Sequence, residues 1–119
     1  MKKNKATIYT DGSCLKNPGG PGGIGAIIQQ NGKKIEISKG YPVAKKGEPQ
    51  VTNNRMEILA IIEGLRLLKE PSDVLVYSDS KYAINCARGI WLKKKNVDLW
   101  IELEPFMDLH KVRFEWVRG

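Results

Sequence analysis

The feature that most limits how this chain can fold is a change of hydrophobic period part-way along it. Ala6-Thr7-Ile8-Tyr9-Thr10 and Lys34-Ile35-Glu36-Ile37-Ser38 alternate with period two, the pattern of half-buried strands, and Ile24 to Gln30 reads as another strand between them. From Ile58 the pattern switches. Ile58, Ile61, Ile62 and Leu65 fall at i, i+3, i+4 and i+7, the stripe of a helix with one buried face. Asn31-Gly32 joins the second and third strands as a hairpin turn, and Pro18 to Gly23 is turn-forming by composition. The chain therefore opens as an antiparallel meander. Gly40 to Val51 reads as a loop.

Strands and helices alternate beyond that point. Thr52 is a helix N-cap candidate, and the first helix is expected to end near Lys69, before Pro71. Asp73 to Ser78 reads as a buried fourth strand. Ser80 to Arg88 reads as a short helix with Gly89 just past its end. A further helix is expected from about Val97 to Leu103, and Lys111 to Val117 alternates as a fifth strand. The order βββαβααβ implies parallel neighbours and a mixed sheet. With 119 residues and a 41% hydrophobic fraction, the chain suits one domain with one core, spanning residues 1–119.

The formal net charge of +7 favours polyanions, although a lysine-rich solubilising surface explains the charge equally well. Lys93-Lys94-Lys95 is the only charge cluster. No apolar run approaches the ~20 residues of a bilayer span. The basic start, Met1 to Lys5, leads into a strand rather than a signal-peptide core. Two cysteines, Cys14 and Cys86, are too few for a disulfide framework, and a reducing, cytoplasmic setting is the default. The single histidine, His110, has no zinc partners nearby.

Three carboxylates stand out. Asp11 and Asp79 each follow a strand directly, and ligands of open α/β sheets bind beyond the carboxyl ends of parallel strands. If the first and fourth strands are parallel neighbours, both acids emerge at one edge. Glu57 lies one turn into the first helix on the face shared by Ile61 and Gly64, where a carboxylate is costly unless paired or bound to a cation. Converging carboxylates raise each other's pKa or hold hard divalent cations, and two ions ~4 Å apart suit phosphodiester cleavage. Each acid also has a local explanation. Asp79 serves as a turn former or as the cap of the Ser80 helix, and Glu57 as a capping-box partner of Asn54.

Ile8-Tyr9-Thr10-Asp11-Gly12-Ser13-Cys14 with Asn17-Pro18-Gly19, Thr52-Asn53-Asn54-Arg55-Met56-Glu57 and Ser78-Asp79-Ser80-Lys81-Tyr82 together resemble type 1 ribonuclease H. Asn96-Val97-Asp98-Leu99-Trp100 and Phe114 to Gly119 match its later segments. The resemblance implies a ribonuclease H-like α/β fold: a five-stranded mixed sheet, the fourth and fifth strands parallel to the first, flanked by helices. It implies an endonuclease that hydrolyses the RNA strand of RNA–DNA hybrids, leaving 5′-phosphate and 3′-hydroxyl ends. Asp11, Glu57 and Asp79 would be the catalytic, metal-binding carboxylates, with up to two Mg2+ ions, or Mn2+. Cys14, Asn17, Asn53, Asn54 and Asn85 match minor-groove contacts, Thr52 and Asn96 a DNA-phosphate pocket, and Trp91 an aromatic of the DNA channel. The asparagines make physical sense as readers of ribose hydroxyls and base edges. Read alone, Asn53 and Asn54 serve equally as a helix start, Trp91 as core and Cys14 as a small buried residue.

The chain departs from the family pattern in places. Lys81, a substrate-contact position, stands where the best-known bacterial members have glutamine. Gln50 stands where related enzymes have a phosphate-pocket arginine. Lys93 to Lys95 is all that replaces a long basic protrusion. The sequence also stops at Gly119, short of the family's histidine loop and of its final helix, which bears a fourth aspartate. The expectation is weaker binding of a second ion and bared apolar surface, in a family member that is otherwise monomeric and here open to dimerisation. A hybrid-binding module of impaired turnover, or a fragment completed by another chain, is the alternative.

Overall fold

A computed structural model describes residues 4–118, so the basic Met1 to Lys3 and the terminal Gly119 lie outside the described residues. Strands β1 (Asn4–Cys14), β2 (Gly22–Gln30) and β3 (Lys33–Tyr41) form the expected meander. Helix α1 (Asn53–Arg66), strand β4 (Ser72–Ser78), helices α2 (Lys81–Ala87) and α3 (Val97–Leu109), and strand β5 (Lys111–Trp116) follow. The sheet order is β3-β2-β1-β4-β5. β1 pairs antiparallel with β2 and parallel with β4, and β5 pairs parallel with β4. This is the mixed sheet that the alternation of elements implies.

Several boundaries differ from expectation: β2 begins at Gly22, inside the expected turn, and β3 runs to Tyr41, into the expected loop, because the two pair along their whole length. β1 does not stop at Thr10. It continues to Cys14, so Asp11 lies inside the strand, opposite Gly25 of β2. Pairing with β4, however, ends at Tyr9 opposite Tyr77. Asp11 therefore sits just past the last parallel rung, held by β2 alone. Helix α1 ends at Arg66, where the Leu67 N–H donates to the Gly64 carbonyl and the Leu68 N–H to the Leu65 carbonyl. Helix α3 runs six residues beyond Leu103 and through Pro105. Pro105 removes one helical hydrogen bond. The buried Leu99, Trp100 and Leu103 and the half-buried Phe106 and Met107 anchor the helix on both sides of it.

α1 lies across β1 and β2, and its buried face carries the predicted Ile58, Ile61, Ile62 and Leu65, all fully enclosed. They pack on Ile8, Ala26, Ile28, Val74 and Val76. Each such aliphatic side chain contributes roughly 2 kcal/mol by leaving water. Gly64 sets the depth of contact. A Cβ there would come within 2.9 Å of Ile8 Cγ2, so the helix rests on the sheet through a position without a side chain. Thr52 caps α1 as expected, its hydroxyl accepting from Arg55 N–H at 3.1 Å.

His110, between α3 and β5, is 4% exposed and accepts the Ser72 N–H on Nδ1 at 3.1 Å. Burial pushes its pKa below the ordinary imidazole value. Protonation would put a proton on an atom that already faces a donor. The stabilisation from His110 is therefore full above the unfolded pKa, about 6.5, and is lost as pH falls through that value toward the lower folded one. In urea unfolding, we expect wild type to exceed His110→Gln in stability at pH 7.5, with the gap narrowing at pH 5.5. A gap independent of pH would refute the buried neutral imidazole.

Candidate active site

Asp11, Glu57 and Asp79 come from three elements that meet at one edge of the sheet. One carboxylate oxygen from each lies within 4.8 Å of the other two, with Glu57 buried and both aspartates exposed. β1 and β4 are parallel neighbours, so Asp11 and Asp79 emerge beyond the same end of their shared ladder. Thr10 secures that end, its hydroxyl donating to the Tyr77 carbonyl at 2.9 Å.

Glu57 reaches the aspartates because α1 crosses β1 at Gly12. A Cβ on Gly12 would overlap the Met56 carbonyl and the Glu57 nitrogen, so only glycine admits the helix this close. The Gly12 N–H donates to Glu57 Oε1. Glu57 is therefore tied to β1 rather than to Asn54, and the capping-box explanation does not hold. Nor does Asp79 cap α2. Ser80 does, its hydroxyl accepting from Ala83 N–H at 3.0 Å.

Burial, and then the nearby Asp79 carboxyl, push the Glu57 pKa from 4.5 up to about 8, against the lowering effect of the Gly12 N–H. None of the ion pairs among the described residues involves the three acids. In a chain of net charge +7, the cluster is negative and has no counter-ion among the described residues. Three carboxylate oxygens at this spacing, with no nitrogen or sulfur among them, fit a hard divalent cation, whose charge would hold Glu57 ionised.

The other predicted residues surround this cluster in two groups. Asn53 and Asn54 are exposed on the first turn of α1, and the Asn17 side-chain oxygen accepts from Asn53 N–H at 3.1 Å. Cys14 is half-buried, its thiol directed at the Lys16 and Val51 carbonyls. The second group joins α1 to α3. Asn96, in left-handed conformation (φ 60°), accepts from Arg55 Nη1 at 3.3 Å and donates from Nδ2 to the Tyr82 hydroxyl at 3.0 Å. Arg55 also grips both oxygens of Asp98, at 2.9 and 2.7 Å, and holds that carboxyl below its usual range. Thr52 and Asn96 are thus set by one arginine. Asn85 is half-buried on α2, and its carbonyl accepts the Ile90 and Trp91 N–H groups at 2.9 and 3.1 Å. Trp91 is 47% exposed and so is not core. The Lys81 ammonium lies 4.7 Å from the centre of the Trp116 ring.

Arg55, Tyr82 and Trp116 are the residues that sequence reasoning missed. The partners of Arg55 lie 41 and 43 residues away in the chain, and no local pattern announces them.

Residues 3–119 match the RNase H family. The chain belongs to the ribonuclease H family. It is 47% identical to ribonuclease H of Nitratidesulfovibrio vulgaris (strain Miyazaki F), over all of this chain and 80% of that protein. It is 46% identical to ribonuclease H of Caldicellulosiruptor saccharolyticus, over 97% of this chain and 83% of that one. Solved structures share the fold. The N-terminal RNase H domain of a Mycobacterium tuberculosis protein, fused to maltose-binding protein, superposes with a TM-score of 0.81 at 24% identity, covering 97% of this chain and 83% of that one. LC11-RNase H1, solved with an RNA/DNA hybrid, gives 0.75 at 24% identity, covering 95% and 85%. The resemblance to type 1 ribonuclease H thus extends from the motifs to the chain as a whole.

For a ribonuclease H with this cluster, the raised pKa of Glu57 has a sign that can be tested. Folding of the metal-free protein takes up a proton on Glu57 between pH 4.5 and about 8, so its contribution is fully present below pH 4.5 and lost as pH rises through about 8. Glu57→Gln carries no such penalty. In EDTA, we expect the variant to gain about 3 kcal/mol on wild type in urea unfolding between pH 5 and pH 9. Parallel pH profiles would show that Glu57 ionises freely.

Proposed function

We propose that this chain hydrolyses the RNA strand of RNA–DNA hybrids, with Asp11, Glu57 and Asp79 as its catalytic, metal-holding carboxylates. The convergence of the three acids at the end of the β1–β4 ladder, without a counter-ion among the described residues, carries this reading. The many relatives named ribonuclease H support it. The three carboxylates would hold up to two divalent ions, Mg2+ or Mn2+, since an oxygen-only donor set suits both. Bound there, such ions would lower the pKa of an attacking water and offset charge on the leaving oxygen.

The protein's own part is placement. Gly12 aims Glu57, and Thr10 fixes the strand end that carries Asp11. The exposed amides of Asn53 and Asn54 and the nearby Asn17 are suited to the shallow minor groove of a hybrid, where the 2′-hydroxyl marks the RNA strand. Cys14 would line the edge of that surface and Asn85 its α2 side. Thr52 and Asn96, set by Arg55, would receive a phosphate of the DNA strand. Trp91, half in solvent, offers a face for sugar or base packing. Lys81 would contact the backbone as a charge. The products would carry 5′-phosphate and 3′-hydroxyl ends.

The test is cleavage of a labelled hybrid in Mg2+ or Mn2+. Wild type is expected to cut the RNA strand only. Asp11→Asn should lower the rate on the order of a thousandfold while leaving the far-UV circular dichroism unchanged. An Asp11→Asn protein that cuts at close to the wild-type rate would rule out the three-carboxylate site.

A further inference from the structure

The loop that carries Asp79 is tied down from β5, an element that supplies none of the three clustered acids. Trp116, the last residue of β5, stands opposite Ser78 in the ladder, and its indole Nε1–H donates to the Asp79 carbonyl at 2.9 Å. The next residue continues the clamp, with Val117 N–H donating to the Ser78 carbonyl at 2.9 Å. On the other side, Ser80 N–H donates to Ser78 Oγ at 3.1 Å. The face of the same indole carries the Lys81 ammonium, 4.7 Å from the ring centre. Trp116 is 39% exposed, so core packing does not explain a large aromatic at this strand end. Its two polar relations do.

We propose that Trp116 is a positioning residue of the active site, acting through the Asp79 main chain on a metal-holding carboxylate and through its ring face on Lys81. The inference rests on the reading of the three acids given above. Asp79 is exposed and aims its carboxyl at Glu57. That aim depends on the peptide plane between Asp79 and Ser80, whose carbonyl the indole holds. Magnesium demands near-ideal octahedral geometry, and a ligand displaced by ~0.5 Å serves it poorly. The ring also seats a cation two residues from Asp79, where electron density on the aromatic face favours an ammonium. One side chain thus sets the direction of a carboxylate and the resting place of the positive charge beside it. The two effects separate chemically, because the N–H serves Asp79 and the ring face serves Lys81.

The experiment uses the whole chain and Mn2+ as the probe, read by electron paramagnetic resonance, with cleavage rates followed across a Mn2+ titration. Trp116→Phe keeps a ring face and removes the N–H. It is expected to weaken Mn2+ binding about fivefold and to lower kcat at low Mn2+, with recovery at saturating Mn2+ and an unchanged far-UV circular dichroism spectrum. Trp116→Leu removes both features and should in addition weaken hybrid binding in EDTA about threefold, an effect absent from Trp116→Phe. If Trp116→Phe proves unstable, benzothienylalanine at this position keeps the indole shape without the N–H, and the same Mn2+ effect is required of it. Wild-type Mn2+ affinity in either N–H-free variant, together with loss of Mn2+ binding in Asp11→Asn, overturns the role of Trp116 and spares the carboxylate site. Undiminished Mn2+ binding in Asp11→Asn instead overturns the carboxylate reading itself.

Discussion

The contact on which this structure most depends is the crossing of α1 over β1 at two positions without side chains. Gly64 lets the last turn of the helix down onto Ile8, and Gly12 lets the first turns meet the strand. The first contact belongs to the core. The second belongs to the site, because it brings the Glu57 carboxylate alongside Asp11 and Asp79. A helix held a side chain's thickness further out would keep most of its buried face while losing the third acid. Stability and site assembly therefore draw on one interface, made at different points along one helix.

The charged groups around the site are arranged unevenly. Arg55 is committed to Asp98 and Asn96, and Lys81 lies on Trp116. The three central acids share no ion pair among the described residues. The result is a strongly anionic point within a cationic molecule. The overall charge draws in a polyanion, which would arrive with its own counter-ions. The local charge favours a divalent cation between protein and backbone. Placing a neutralising lysine among the acids would make the apo fold more stable and leave no vacancy for that cation.

Much of this was legible in the sequence, because the signals were local or periodic. The stripe from Ile58 to Leu65 located α1 and its buried face, and Asn31-Gly32 located the β2–β3 hairpin. Asp79 stands just after its strand, as read. The end of β1 was misplaced because Asp11-Gly12-Ser13 has the composition of a turn, whereas pairing with β2 keeps these residues extended. The end of α3 was misplaced because Pro105 argues locally for a break, while anchoring of Phe106 and Met107 in the core overrides it. The ties from Arg55 to α3 and from Trp116 to Asp79 had no sequence signal. They join residues 37 to 43 apart through side chains whose direction only the assembled sheet determines.

The overhang of β1 past its neighbour has a further consequence. From Thr10 onward β1 has a partner on only one side, since the β4 ladder ends at Tyr9. The segment bearing Asp11 and Gly12 thus belongs to a three-stranded ribbon, β3-β2-β1, that extends past the five-stranded part of the sheet with β1 as its edge. Such a ribbon opens at a lower free energy than the rungs below it. Amide protons from Gly12 to Cys14 are expected to exchange by this local route, and those from Ala6 to Ile8, paired on both sides, only when the whole sheet opens. Each opening releases the Gly12 N–H from Glu57 and turns Asp11 away from Asp79. The site would then come apart at lower denaturant than the fold, and re-form without any refolding of the core.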